Sequence, residues 1–268
     1  MSTLNAKGTA LITGASSGIG ATYADRFAKR GYDLLLVARD LDRLESLATR
    51  LRSETGVKVE VLKADLTDTA DLLKVEQRLR GDASISLLLN NAGVAFAGTL
   101  AEADLQGVDR MIQLNVVALT HLASAAAQGF STVGRGAIIN VGSVVALMPE
   151  RFNAGYAATK AYVLSLTQSL SEEISPLGVQ VQAVLPGATR TEIWERSGMD
   201  VNKFPPEMVM EVGEMVDAAL AGFDQGERVT IPSLANAADW EAAMAARGAL
   251  GPGLSLSSAA ARYKAPVA

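Results

Sequence analysis

Cysteine is absent from this sequence, and His121 is the only histidine among its 268 residues. The first absence excludes disulfides and thiolate metal sites, and the second excludes a histidine-rich site, so no metal is expected. A chain without disulfides suits a reducing compartment, and a cytoplasmic protein is expected. The side chains most used for proton transfer and nucleophilic attack near neutral pH are therefore nearly missing. Charge of one sign is not concentrated anywhere. The 24 Lys and Arg are interleaved with 29 Asp and Glu, for a net charge of -5. No basic block exists for a nucleic acid. No run approaches the 18 or so consecutive apolar residues that span a bilayer, so no membrane partner is expected. The first apolar stretch, TALITGA from Thr9, is broken by Gly14 and is too short for a secretion signal.

What the sequence has is apolar residues, 49% of the chain, in a regular alternation of two periodicities. TALIT at 9–13 reads as a buried strand, and an amphipathic stretch then stops at Gly31 as a helix would. YDLLLVA is a second strand. DLDRLESLATRLRSETG carries Leu41, Leu44, Leu47 and Leu51 as a helical stripe. KVEVLKAD, TDTADLLKVEQRLR and ISLLLNNAG continue as strand, helix and strand. A helix from about Asp104 to Gln128, the strand GAIINVGS, a helix from about Ala154 to Ser175 and the strand VQVQAVLPG follow. Last come a helical PEMVMEVGEMVDAAL, a short strand RVTI and an alanine-rich helix around Asp239 to Arg247. Strands alternating this way with helices predict an α/β fold with a parallel sheet covered on both faces. One domain over 1–268 is expected, with a tail at about 249–268 that has no clear periodicity.

TGASSGIG, residues 13–20, lies between the first strand and the first helix. There the chain must turn sharply and let a diphosphate approach the helix N-terminus. Gly14, Gly18 and Gly20 remove obstructing side chains, and Ser16 and Ser17 offer hydroxyls. The end of the second strand selects the cofactor, since a carboxylate there binds ribose hydroxyls and an arginine accepts a 2′-phosphate. The strand ends LLVARD, with Ala38 followed by Arg39, so NADP is favoured and NAD is the alternative. A solvated Arg39 paired with Asp40 or Asp42 is the competing reading.

Further along, NAGYAATKAYV sets Tyr156 and Lys160 four residues apart, on one face of a helix. Taken with TGASSGIG, Asp65 after the third strand, NNAG at 90–93, Asn115, Ser143 and PGATRT at 186–191, the chain resembles the short-chain dehydrogenase/reductase family over roughly residues 8–192. The resemblance implies a Rossmann-like, doubly wound sheet of about seven strands and a hydride transfer between a nicotinamide and an alcohol or carbonyl. It implies that Asn115, Ser143, Tyr156 and Lys160 are catalytic. Cofactor contacts would come from Gly14, Ser16, Ser17, Gly18, Ile19, Gly20, Arg39, Tyr156 and Lys160. Asp65 and Leu66 would flank the adenine, Asn91, Ala92 and Gly93 the adenosine ribose, and Pro186, Gly187, Thr189 and Thr191 would close over the nicotinamide. It further implies a homodimer or homotetramer and a substrate lid at about 188–215. Two positions depart from the pattern. A serine replaces the basic residue common in the glycine loop of NADP-using members, and Ser86 replaces an acidic residue before NNAG.

These residue types suit the chemistry. A hydride moved onto a carbonyl carbon leaves an alkoxide, which needs a proton donor and a second hydrogen-bond donor. Tyr156 would be the acid and Ser143 the second donor. An ammonium about 4 Å from the phenol, at an effective dielectric of about 20, is worth on the order of 4 kcal/mol before solvation. That would lower the tyrosine pKa. Taken singly, Asn115 reads as an asparagine satisfying a helix carbonyl and Ser143 as a strand-end cap. Their order and spacing before Tyr156 favour the catalytic reading. His121 is expected to be structural. Trp194, Met199, Phe204, Met208 and Met210 form an apolar group in the lid, with core packing as the alternative for the two methionines at helical spacing. The expected substrate is a ketone or secondary alcohol of mainly apolar character, such as a 3-oxoacyl compound, a cyclic or aromatic ketone, or a steroid-like molecule. A non-catalytic NADP(H)-sensing protein on the same fold is the rival.

Overall fold

Alternate residues of the central strands enter opposite cores, which explains why those strands are apolar without interruption. The computed structural model describes residues 7–264. Among them, the strands are β1 (Thr9–Thr13), β2 (Asp33–Ala38), β3 (Val59–Lys63), β4 (Ile85–Asn90), β5 (Gly136–Val141), β6 (Val179–Val184) and β7 (Val229–Thr230). They form one seven-stranded sheet in the order β3-β2-β1-β4-β5-β6-β7, with every neighbouring pair parallel. The helices are α1 (Gly18–Lys29), α2 (Leu41–Thr55), α3 (Thr69–Gly81), α4 (Leu105–Ile112), α5 (Leu119–Val133), α6 (Ala154–Ile174), α7 (Ile193–Arg196), α8 (Val212–Asp224) and α9 (Ala237–Gly248).

Ala10, Ile12, Leu34, Leu36, Leu87 and Leu89 face one core with Phe27 of α1, Leu44 of α2 and Val216 of α8. Leu11, Leu35, Leu88 and Ile138 face the other with Val75 of α3, Leu122 of α5 and Leu170 of α6. The doubly wound sheet expected from the sequence is thus present. Strand order reverses between β1 and β4, so the turns leaving those two strands diverge and open a crevice at their carboxyl ends. Helix starts are fixed locally: Asp40, Asp68, Asp104 and Asn153 each cap a first turn by accepting a backbone N–H.

Two expectations are corrected. The helix after β4 is interrupted by a π-helical turn at Gln113–Ala118, which contains Asn115. The whole run from Leu105 to Val133 also has the length and mean hydropathy, 1.2, of a possible membrane span. Its apolar content has a local cause, because Ala118, Leu122, Ala125, Ala126 and Phe130 line the second core. The stretch PEMVMEVGEMVDAAL is not one helix. A 3-10 turn covers Pro206–Met208, Val209 is extended, and Met210 exchanges backbone hydrogen bonds with the 188–190 segment before α8 begins. Long-range pairing there overrides helical spacing.

The chain divides into two compact units at Pro232/Ser233. The second holds α9, none of whose residues is buried, and 3-10 turns at Gly251–Gly253 and Ala261–Tyr263. The last four residues of the expected tail lie outside the described residues.

Candidate active site

The glycine loop is shaped first by its neighbour loop. Gly14 and Gly18 have left-handed φ values of 64° and 52°, which favour glycine. A Cβ on Gly20 would stand 2.3 Å from the Gly14 carbonyl oxygen, and one on Gly14 would stand 2.8 Å from Asn91 Nδ2. Asn91 Nδ2 donates to the carbonyls of Thr13 and Gly14 at 2.9 and 3.2 Å. The Thr13 hydroxyl accepts from the backbone N–H groups of Asn91 and Ala92. The two loops therefore lock each other and leave the start of α1 bare. Ser17 occupies its N-cap without making a side-chain capping bond, so the first-turn N–H groups are left for an anion. Ser16 is half-buried, and Ile19 packs on the first core.

Asn115 clamps three segments. Its Oδ1 accepts from Val94 N–H at 2.9 Å, and its Nδ2 donates to the Val94 carbonyl at 2.9 Å and to Thr159 Oγ1 at 3.2 Å. It bonds across to the loop after NNAG and to α6, one residue before Lys160. Gly93 lies inside this junction, where a Cβ would be 3.3 Å from Asn115 Oδ1 and 3.7 Å from Lys160 Nζ. Sequence reasoning passed over Thr159, whose only signal was its place between Tyr156 and Lys160.

Asn153 caps α6 through the Tyr156 N–H and so sets the register of the pair. Lys160 is 6% exposed, and its Nζ donates to the Val141 carbonyl at 2.9 Å. That ammonium stands 5.7 Å from the centroid of the Tyr156 ring. Burial pushes the Tyr156 phenol up to about 12, opposed by a hydrogen bond with the Ser143 hydroxyl. Burial lowers Lys160 to about 8. The expected lowering of the tyrosine by its lysine is thus corrected for the cofactor-free protein. Desolvation outweighs an ammonium that is held at the end of β5. Ser143 combines both of its sequence readings, since its Oγ accepts from Val145 N–H as a cap, donates toward the Pro186 carbonyl, and meets the phenol.

Arg39 is two-thirds exposed, 3.9 Å from Asp65, so it faces the third strand's end instead of Asp40 or Asp42. Asp65 accepts from the backbone and hydroxyl of Thr67. Leu66 is buried in the second core and can offer a ligand only backbone. Pro186 accepts from Val144 N–H, while the space beside Gly187 is open. Thr189 is buried and donates to the Gly187 carbonyl, and Thr191 stands 3.3 Å from where a Gly18 Cβ would be. Trp194 donates from Nε1 to the Thr189 carbonyl at 2.7 Å and packs at 5.0 Å on Phe204, while Met208 is exposed. Arg43, Glu192 and Arg196, also passed over in the sequence, form an ion-pair group beside Ser17. His121 pairs with Glu76 on α3, away from these residues. Ser86 donates to the Lys7 carbonyl, a local packing role.

The pattern of the short chain dehydrogenase family matches residues 8–202. A short-chain dehydrogenase from Sphingobium yanoikuyae, solved in complex with NADPH, is 58% identical with a TM-score of 0.93, over 96% of this chain and 100% of that one. A bulky-bulky ketone specific alcohol dehydrogenase from Comamonas testosteroni is 50% identical with a TM-score of 0.88, over 96% and 98%. An NADPH-dependent 1-acyldihydroxyacetone phosphate reductase from Schizosaccharomyces pombe is 29% identical, over 90% and 88%. With the glycine loop, the NNAG clamp and the Ser143, Tyr156 and Lys160 constellation in one crevice, this chain belongs to the short-chain dehydrogenase family and is an oxidoreductase of that family.

Proposed function

We propose that the protein is an NADP(H)-dependent carbonyl reductase that converts apolar ketones, bulky on both sides of the carbonyl, into secondary alcohols. The observation that carries this reading is the Ser143 hydroxyl beside the Tyr156 phenol, next to a buried Lys160 held by the Val141 carbonyl. When bound, the nicotinamide supplies or accepts the hydride. Tyr156 Oη donates its proton to the oxygen that gains charge, and Ser143 Oγ donates a hydrogen bond to the same atom. Lys160, held by the Val141 carbonyl, keeps a positive charge near the phenol. Asn115 fixes the distance between the NNAG loop and α6, and so the position of Lys160.

The bare N-terminus of α1 and the glycine-lined loop fit a diphosphate, and Arg39 at the end of β2 fits a 2′-phosphate. The NADPH complex of a 58% identical relative supports that cofactor. For the substrate, apolar side chains stand on two separate segments. Leu147, Met148 and Phe152 lie exposed between Ser143 and Tyr156, and Trp194 with Phe204 lies in the lid segment. Apolar side chains from two segments suit a ketone with two large substituents, the preference carried in the name of the Comamonas relative.

NADPH consumption should be measured against diaryl and branched dialkyl ketones, with acetone as the small control. The bulky ketones should turn over fastest, and Tyr156→Phe should lower the rate by about 10²- to 10⁴-fold with NADPH binding retained. Tight NADPH binding with flat traces across the panel refutes the reading. A homo-oligomer would use the outer face of α5 and α6, where Thr120, Ala123, Ala127 and Leu170 line a shallow groove. Light scattering of Ser124→Arg, which puts a charge on that face, should then report a smaller particle.

A further inference from the structure

Three arginines stand around the carboxyl end of β2. Arg39 follows the strand, Arg43 lies in the first turn of α2, and Arg196 ends α7 in the lid segment. Glu192 lies between two of them. Its two carboxylate oxygens accept from Arg43 Nη1 at 2.9 and 2.8 Å, and Oε2 also accepts from Arg196 Nη2 at 2.5 Å. Arg196 reaches on to Ser17 Oγ of the glycine loop at 3.5 Å, and Arg43 Nε lies 3.4 Å from Asp40. Glu192 of the lid segment thus links Arg43 at the start of α2 to Arg196, which reaches the glycine loop.

A guanidinium that grips two carboxylate oxygens is equally suited to phosphate oxygens. In a doubly wound dinucleotide fold, the end of β2 faces the 2′ position of the adenosine ribose. We propose that Glu192 is a specificity-determining residue of the cofactor site, competing with the 2′-phosphate for Arg43, which is a second phosphate-binding residue beside Arg39. The proposal rests on the NADP(H) reading above and adds to it a negative side chain supplied by the lid. An unphosphorylated cofactor has no reason to displace Glu192, whereas a 2′-phosphate must outbid it. The Arg43 guanidinium keeps the Glu192 carboxyl below its ordinary range, so the competitor stays ionised near neutral pH.

Binding of NADPH and NADH, followed by calorimetry without any ketone, tests this at low and high salt. Glu192→Gln keeps the shape and removes the charge. An exposed ion pair shifts a binding equilibrium by a factor of up to about five. NADPH affinity should therefore rise about three- to tenfold at low salt for the two pairs released, with NADH unchanged and the gain shrinking at high salt. Arg43→Ala should weaken NADPH about tenfold and leave NADH alone. Unchanged NADPH affinity in Glu192→Gln, or equal shifts for NADPH and NADH, overturns the proposal. If Arg39→Ala meanwhile abolishes the preference for NADPH, the cofactor reading stands and only the role of Glu192 falls. A wild-type protein with no preference for NADPH overturns both.

Discussion

Lys160 is a buried ammonium with a single carbonyl partner, and its cost should be measurable as a pH dependence of folding. In the cofactor-free protein burial lowers it from 10.5 to about 8. Each pKa unit corresponds to about 1.4 kcal/mol, so the charged form is disfavoured on folding by on the order of 3 kcal/mol. Between pH 8 and 10.5 the unfolded chain holds the proton and the folded one does not, so stability rises with pH in that window. Below pH 8 both states are protonated and the full penalty is present. From pH 7 to 9.5 the recovered stability is roughly 2 kcal/mol, which moves a urea midpoint up by about 0.5 M or more. Lys160→Met has nearly the same length and no proton to lose. Urea melts of both proteins at pH 7, 8, 9 and 9.5 therefore isolate the lysine, because other titrating groups contribute to both. The comparison stops below pH 10, where ionisation of unfolded tyrosines works against the raised Tyr156. Parallel curves for the two proteins across that range would refute the assignment of a depressed lysine.

Other outcomes are expected from the same geometry. Gly20→Ala puts a Cβ 2.3 Å from a backbone oxygen, so it should destabilise the fold by about 1–3 kcal/mol and weaken NADPH binding, read by melts and titration. Asn115→Ala removes a buried side chain with three hydrogen bonds and should cost about 2–4 kcal/mol in thermal or urea unfolding. Ser143→Ala should reduce ketone turnover by about 10²-fold with little effect on NADPH affinity. Alcohol oxidation, which needs the phenol as a base, should rise with pH, whereas ketone reduction should be level below pH 8 and fall as Lys160 deprotonates. Initial rates in both directions across pH 6–10 check this.

The sheet was legible because its strands are short, apolar on both faces and punctuated by glycine or polar turns, a pattern that only a doubly covered parallel sheet requires. The candidate site residues were legible because the glycine loop, NNAG, Asn115, Ser143 and the Tyr156 and Lys160 pair follow one another in the order that the resemblance to the family implies. What escaped has a common cause in contacts between distant segments. Met208 and Met210 look helical by spacing, but Met210 pairs with the 188–190 segment. Asn115 was named as a site residue, but not the π turn that aims its amide at Val94 and Thr159. Arg43 and Glu192 lie 149 residues apart, and no local pattern joins them.

The Tyr156 and Lys160 pair illustrates how far spacing alone can carry an electrostatic argument. Four residues on a helix put both side chains on one face, and a contact near 4 Å would have favoured the phenolate. The fold instead extends the lysine to the end of β5, where the Val141 carbonyl holds it 5.7 Å from the ring centroid. Burial of the phenol wins, and in the cofactor-free protein Tyr156 is a proton donor. A donor is what the alkoxide formed in carbonyl reduction needs, and a base is what alcohol oxidation needs. The cofactor-free site is therefore poised for reduction. Oxidation requires further positive charge beside the phenol, as an oxidised nicotinamide would bring, so the two directions differ in how much of their electrostatics the protein supplies by itself.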